Sequence, residues 1–259
     1  MKTRRHVVGL HAVEAALQHG PERIVSAWTD AARTDDRLAR LIKGLQALGL
    51  KPQRVNKARL DILAEGQSHQ GVVLEVIMPG ELGENELRSA LETTGTLPLF
   101  LVLDHLQDPH NFGACLRTAD AAGVHGVVLT KDQSVGITPV VAKVASGAAE
   151  TMPVYRVTNL ARALSWLKSA GIWVAGAAGE AERTVYEADL RLPLALVMGA
   201  EGKGLRRLTK ECCDFLVSIP MLGQVESLNV SVATGVLLYE VVRQRRTLTS
   251  HHSSEVFSG

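Results

Sequence analysis

The sequence predicts an α/β protein: a small α/β unit over residues 1–78, an acidic linker over 79–97, and a larger unit over 98–246 built on a mostly parallel sheet. Three observations carry that expectation. Short continuous apolar runs such as "LFLVLD", "GVVLT" and "LALVMG" alternate with stretches of helical period, the pattern of parallel strands covered on both faces. Gly and Pro stand at the ends of helices and throughout the acidic stretch. The 259 residues are 46% hydrophobic and 21% charged, the balance of a globular protein, and no apolar run approaches the ~20 residues that span a bilayer.

In the first unit, "GLHAVEAALQHG" reads as a helix closed by Gly20 and "RIVSAWT" as a strand. "TDDRLARLIKGLQALG" begins on Asp/Thr caps, repeats apolar residues at Leu38, Leu41, Ile42, Leu45 and Leu48, and stops at Gly49, which is a helix with its start and stop signals. "PQRV" and "GVVLEVIM" supply further strands around the short helix "KARLDILA". The linker, "PGELGENELRSALETTGTL", has room for one short helix.

In the second unit the strand candidates are "LFLVLD", "GVVLT", "PVYRV", "IWVAGAA", "LALVMG" and "FLVSIP". Helices between them begin at Thr138-Pro139, with Pro at the first helical position, and at Thr158-Asn159. The last helix, "SLNVSVATGVLLYEVVRQRR", ends in positive charge that suits its dipole. The polar tail over 247–259 reads as disordered.

Residues 1–78 hold twelve Lys/Arg against eight Asp/Glu, a mild basic bias compatible with nucleic-acid contact and equally with a solvated surface. Glu14 and His11 interrupt the apolar stretch near the start, which makes a poor secretory signal. Cys115, Cys212 and Cys213 form no metal spacing and read as reduced thiols of a cytoplasmic protein.

Three loops do not look like packing. Parallel sheets bind ligands beyond the carboxyl ends of their strands, and all three loops lie there. In "DPHNFGACLRTADAAG", Pro109 breaks the chain, Asn111 can cap the helix, and Phe112, Leu116 and Ala119 make its buried face. Arg117 lies six residues, roughly 9 Å, further along and leans back toward the helix start. The same pattern also fits an Asn cap with an exposed arginine paired to Asp120. "LALVMGAEGKGLRRL" places Gly199, Gly202 and Gly204 after a buried strand, with Glu201 among them. It is neither a Walker loop nor G-x-G-x-x-G, though its glycines let backbone N–H groups approach a ligand. In "SIPMLGQVESLNVSVATG", a strand ends at Ile219-Pro220 and Ser227 is a good N-cap for the last helix.

In this order, the three loops resemble the three motifs of the SpoU branch of the SPOUT superfamily of RNA ribose 2′-O-methyltransferases. "GLHAVEAAL" and "SHQGVV" are similar to the amino-terminal domain of those members that act on bacterial 23S rRNA, so the likeness covers about residues 6–246. The resemblance implies an L30e-like RNA-binding first domain and a catalytic domain whose sheet ends in a trefoil knot. It implies a homodimer with the active site at the subunit interface, and S-adenosylmethionine as methyl donor without a metal. It places the donor on the backbone at Gly199, Ile219 and Leu228, and assigns catalysis and substrate contact to Asn111, Arg117, Glu201, Ser227 and Asn229. The target it implies is a guanosine in the peptidyl-transferase region of 23S rRNA, free or within a large-subunit assembly intermediate, with extra grip from Arg4, Arg5 and His11. A tRNA substrate, or a non-enzymatic rRNA-binding role, is the alternative.

Overall fold

The first unit builds a sheet from four strands with three helices between them: β1 (Arg4–Val8), α1 (Leu10–His19), β2 (Ile24–Asp30), α2 (Asp36–Ala47), β3 (Gln53–Val55), α3 (Lys57–Leu63) and β4 (Val72–Ile77). The computed structural model describes residues 4–77, 81–200, 202 and 204–252. The chain divides into two units, Met1–Gly80 and Glu81–Gly259. In the first, the strand order is β1-β4-β2-β3, antiparallel except for the parallel pair β2/β3. The apolar run of β4 follows from its central place: Val72, Leu74 and Val76 bury against α1 and α2 residues such as Val13, Leu38 and Leu45, while Val73 faces Leu60 and Leu63 of α3. The strand β1 was not among those expected from the sequence, because two arginines and a histidine precede its valines and hide the alternation. Leu48 lies past the end of α2 and is 44% exposed, outside the buried stripe.

The "SHQGVV" segment forms a corner held by side chains. The Gln70 Oε1 accepts from the Leu10 N–H at 3.1 Å and so caps α1, where Gly9 has no side chain to do so. The His69 Nδ1 accepts from the Gly71 N–H at 3.0 Å, leaving Nε2–H to face Asp61 at 3.1 Å.

The second unit comprises α4 (Glu84–Thr93), β5 (Leu99–Leu103), α5 (Pro109–Ala121), β6 (Gly126–Thr130), α6 (Pro139–Ala145), α7 (Ala148–Thr151), β7 (Val154–Val157), α8 (Leu160–Ser169), β8 (Trp173–Ala177), β9 (Leu194–Met198), α9 (Arg207–Cys212), β10 (Phe215–Val217) and α10 (Val230–His252). Its six strands, in the order β10-β8-β9-β5-β6-β7, are all parallel. The central strands are buried on both faces. Leu99, Leu101 and Leu103 of β5 pack with Phe112, Leu116 and Leu237, whereas Phe100 and Val102 pack with Leu87 and Leu164 on the opposite side. Each such leucine contributes about 1.5–3 kcal/mol by leaving water. Gly113 of α5 lets α6 approach closely: a Cβ there would meet Val144 at 2.7 Å.

Two expectations are revised here. The short helix expected inside the acidic stretch is α4, closed at its start by the Glu86 carboxylate accepting from the Gly83 N–H at 2.8 Å, but Leu87 and Leu91 bury it in the second unit, to which residues from Glu81 belong, so the stretch is not a bare linker. The tail expected to be disordered from 247 continues α10 to His252, because nothing between Arg246 and His252 breaks a helix; residues 253–259 lie outside the described residues. Among the described residues no helix is long and apolar enough to cross a membrane.

Candidate active site

At the carboxyl end of β5 the chain turns through Asp104 and His105 into α5. Asp108 is the N-cap of that helix, its Oδ1 accepting from the Asn111 N–H at 2.7 Å, with Pro109 at the first helical position. The capping role expected for Asn111 therefore belongs to Asp108, and the Asn111 side chain is released for another partner. Its Oδ1 accepts from the Asn229 Nδ2 at 3.0 Å, across 118 residues of sequence. Asn229 also opens α10: its Oδ1 accepts from the Ser231 N–H at 2.9 Å and the Ser231 hydroxyl at 2.6 Å. Asn229 thus takes the cap expected of Ser227, which lies exposed in the preceding loop because the helix starts only at Val230.

Arg117 is exposed, and its Nη1 donates to the Ser146 Oγ at 3.4 Å. The pairing with Asp120 does not form, since the Asp120 carboxylate accepts from the Thr151 hydroxyl at 2.9 Å. At 3.6 residues per turn, Arg117 stands about 120° around α5 from Asn111. Within one chain, therefore, the structure joins Asn111 to Asn229 and turns Arg117 toward the corner between α6 and α7.

Beyond β9 the glycine loop folds back on itself, with Ala200 bridged to Gly204 and a 3.0 Å bond from the Gly204 N–H to the Ala200 carbonyl. A Cβ at Gly199 would lie 2.1 Å from the Gly204 carbonyl carbon, so only glycine fits. Gly202 and Gly204 take φ of 72° and 62°, and a Cβ at either would enter open space. Glu201 lies outside the described residues. Ile219 is half-buried against the core, and Leu228 is 37% exposed. Among the described residues, no main-chain group of residues 219–228 hydrogen-bonds to another main-chain group.

Between these loops lies a cavity of about 340 Å³, lined by residues 104–108 together with Gln133, Ala200, Gly204 and Arg206. Its floor is the Asp104 carboxylate, 2% exposed, which accepts from the Thr209 hydroxyl at 2.7 Å, from the Arg206 N–H at 3.4 Å, and from the His105 ring. Sequence reasoning missed this group. The one available signal was an acid directly after a continuous apolar strand.

In the first unit, Arg4 faces Glu75 at 3.5 Å, and His11 sits beside the Arg37–Glu14 pair; the side chain of Arg5 lies outside the described residues. Among the described residues no group of three His, Cys, Asp or Glu side chains could hold a metal ion.

Comparison with known proteins places both units in described families. Residues 98–239 match the SpoU rRNA Methylase family, and residues 6–81 match the RNA 2′-O ribose methyltransferase substrate binding family. The chain is 55% identical over 247 residues to the 23S rRNA (guanosine-2′-O-)-methyltransferase RlmB of Shewanella oneidensis, covering 95% of this chain and 100% of that protein. It is 52% identical to the protein of the same name from Pseudomonas aeruginosa, covering 93% and 97%. Among solved structures it is similar to the SpoU methyltransferase AviRb of Streptomyces viridochromogenes in complex with AdoMet (TM-score 0.77, 26% identity, 93% and 90% covered). A second likeness is to an AdoMet-bound rRNA methyltransferase from Sinorhizobium meliloti (TM-score 0.76, 25% identity, 93% and 87% covered).

Proposed function

The chain belongs to the SpoU rRNA methylase family, and from that premise we propose that it methylates the ribose 2′-hydroxyl of a guanosine in 23S rRNA with S-adenosylmethionine as donor. The observation that carries this reading is the near-complete match to 23S rRNA guanosine-2′-O-methyltransferases in both units. The Asn111–Asn229 pair at the strand ends supports it.

The donor site we propose is the main chain of Gly199, Ile219 and Leu228. Two features fit it: the open space beside Gly202 and Gly204, and the run 219–228 whose main-chain polar groups have no main-chain partners among the described residues. When bound, S-adenosylmethionine supplies a methyl group on a sulfonium whose departure leaves a neutral thioether. The protein's work is then alignment of the attacking hydroxyl, worth up to ~7–11 kcal/mol, and help with its proton, worth about 10²–10⁴-fold. The Asn111 amide, steadied by Asn229, would hold the ribose. Ser227 would orient the hydroxyl, and the Glu201 carboxylate would take part in removing its proton. Guanidinium groups stay protonated in proteins, so Arg117 is assigned to grip a phosphate of the target nucleotide rather than to act as base.

The same reading includes a trefoil knot formed by the segment from the glycine loop through α10, an L30e-like first domain with Arg4, Arg5 and His11 toward RNA, and a homodimer. The dimer draws support from Leu222, Val225, Val232 and Tyr239, all more than half exposed; Val232 and Tyr239 lie seven residues apart on one side of α10. An interfacial site would also account for Arg117 facing away from Asn111 within one chain.

The test is methyl transfer from labelled S-adenosylmethionine to unmodified 23S rRNA, with 16S rRNA and tRNA alongside. Alkali-stable label at one guanosine of 23S rRNA is the expected result. Label confined to tRNA would overturn the substrate, and absence of donor binding would overturn the enzyme.

A further inference from the structure

The cavity at the ends of β5, β6 and β9 touches the proposed donor loop at Ala200 and Gly204, while its other lining residues, 104–108, Gln133 and Arg206, have no role in the methyl transfer described above. Two non-glycine residues on its wall, His105 at φ 62° and Gln133 at φ 56°, stand in the left-handed region. That conformation is costly for a residue with a Cβ and persists only where the surroundings hold it. Both are held. The buried Asp104 carboxylate accepts from the His105 ring and is itself anchored by the Thr209 hydroxyl at 2.7 Å. The loop carrying Gln133 is pinned by Arg156, 8% exposed, whose guanidinium donates to the carbonyls of Lys131, Val135 and Ser134 at 2.7, 2.9 and 3.3 Å.

Two residues of opposite charge, Asp108 and Arg206, line the same space. Arg206 donates through Nη2 to the Gln133 Oε1 at 2.8 Å, which orients its planar guanidinium. The wall formed by residues 104–108 carries the Asp108 carboxylate, of which only Oδ1 serves the helix cap, and leads directly into Asn111. The opposite wall is the glycine loop at Ala200 and Gly204. A planar fork of donors and a carboxylate acceptor thus share one cavity beside the residues assigned to the ribose.

We propose that this cavity receives the base of the target guanosine, with Arg206 donating to O6 and N7 and Asp108 accepting from N1–H and the 2-amino group. The assignment rests on the guanosine reading given above and extends it to the residues that choose the base. Arginine forked onto guanine O6 and N7 is the commonest specific contact to that base. Adenine presents the opposite polarity, an amino group toward Arg206 and an acceptor N1 toward Asp108, so it is repelled at both ends. Single-stranded or extruded bases are read in this way on their Watson–Crick edges. Gln133, His105, Asp104 and Arg156 are positioning residues for the two readers.

The experiment uses the full-length enzyme and 23S rRNA transcripts. The methylated guanosine is mapped first, and transcripts with inosine or adenosine at that position are then compared by kcat/KM. Asp108→Asn keeps a good helix cap while replacing one carboxylate oxygen by a donor, and Arg206 is exposed, so both variants are suited to folding; thermal midpoints and S-adenosylmethionine binding check this. The wild type is expected to prefer guanosine over adenosine, and to lose activity on inosine, which lacks the 2-amino group. Asp108→Asn should erase the difference between guanosine and inosine. Arg206→Ala should lower the guanosine-to-adenosine preference by roughly 10–100-fold, the range of one bidentate base contact. If both variants slow transfer to all three transcripts by the same factor, or if the wild type accepts all three equally, the pocket does not read the base and the proposal falls. If the wild type labels no guanosine of 23S rRNA at all, the substrate reading fails first and the pocket with it.

Discussion

In the first unit several arginines are tied to carboxylates of the same unit: Arg37 to Glu14, Arg33 to Asp35, Arg4 to Glu75. In the second unit, polar side chains from segments about a hundred residues apart converge on the strand ends. Asn111 meets Asn229, and Asp104 meets Thr209 and the main chain of Arg206. The difference follows from the sheets. A mixed sheet sends its strand ends to both edges, so its charged residues pair on the exposed surface of strands and helices rather than converging on one place. A wholly parallel sheet delivers every strand to the same edge, so residues distant in sequence are forced into one place. Disturbing the second arrangement should therefore cost function and stability together, while disturbing the first should cost little of either.

The largest expected effect is at Gly199. Replacing it with alanine drives a Cβ to 2.1 Å from the Gly204 carbonyl carbon, and the cost should reach about 3 kcal/mol or more, the upper range of overpacking. Loss of S-adenosylmethionine binding by calorimetry and a lower thermal midpoint are the readouts; a fully active alanine variant would show that the loop is not the rigid element described. Next comes Arg156→Ala, which strips three main-chain carbonyls of their donor and leaves Glu81 without its 3.5 Å partner. Chemical denaturation should give a loss of about 2–3 kcal/mol.

A sharper comparison comes from the two asparagines. Asn229→Ala removes the side-chain cap of α10 as well as the bond to Asn111 and should cost about 1 kcal/mol. Asn111→Ala leaves the Asp108 cap in place, so turnover should fall while stability moves by less than about 0.5 kcal/mol. Equal destabilisation by both variants would mean that the pair is structural.

The smallest effect belongs to the first unit. The Arg37 guanidinium holds the Glu14 carboxyl below its ordinary value of 4.5. A depressed carboxylate stabilises the fold above that ordinary value and loses its contribution as the pH falls through the lower, folded one. The Glu14→Gln difference in unfolding midpoint should thus be constant near neutral pH and shrink only below about pH 4.5. Salt should weaken it too, since the pair is half-exposed. A difference that grows on acidification would contradict the assigned cause.

Much of this architecture was legible in the chain. The strands of the large sheet were visible as apolar runs, clearest in the central β5, β6 and β9, whose faces are both covered, and Thr138 and Asn159 announced their helices as caps. The short helix of the acidic stretch was anticipated, but the high charge around Leu87 and Leu91 concealed that they bury it in the second unit. For the site, the residue types were readable and their roles less so. Asn111, Ser227 and Asn229 are all good caps, and local propensity cannot choose among neighbours that suit one position equally.

Spacings of a few residues were enough for the class of the fold, the buried stripes of its helices, and the three loops in which chemistry could reside. Only the folded chain shows that Asp108 and Asn229 do the capping and that the Asn111 side chain meets Asn229. It also shows that Asp104, His105, Gln133 and Arg206 enclose one cavity. Those facts depend on which strand ends lie side by side and on left-handed turns at two residues that could equally have been extended. Periodicity carries no information about either.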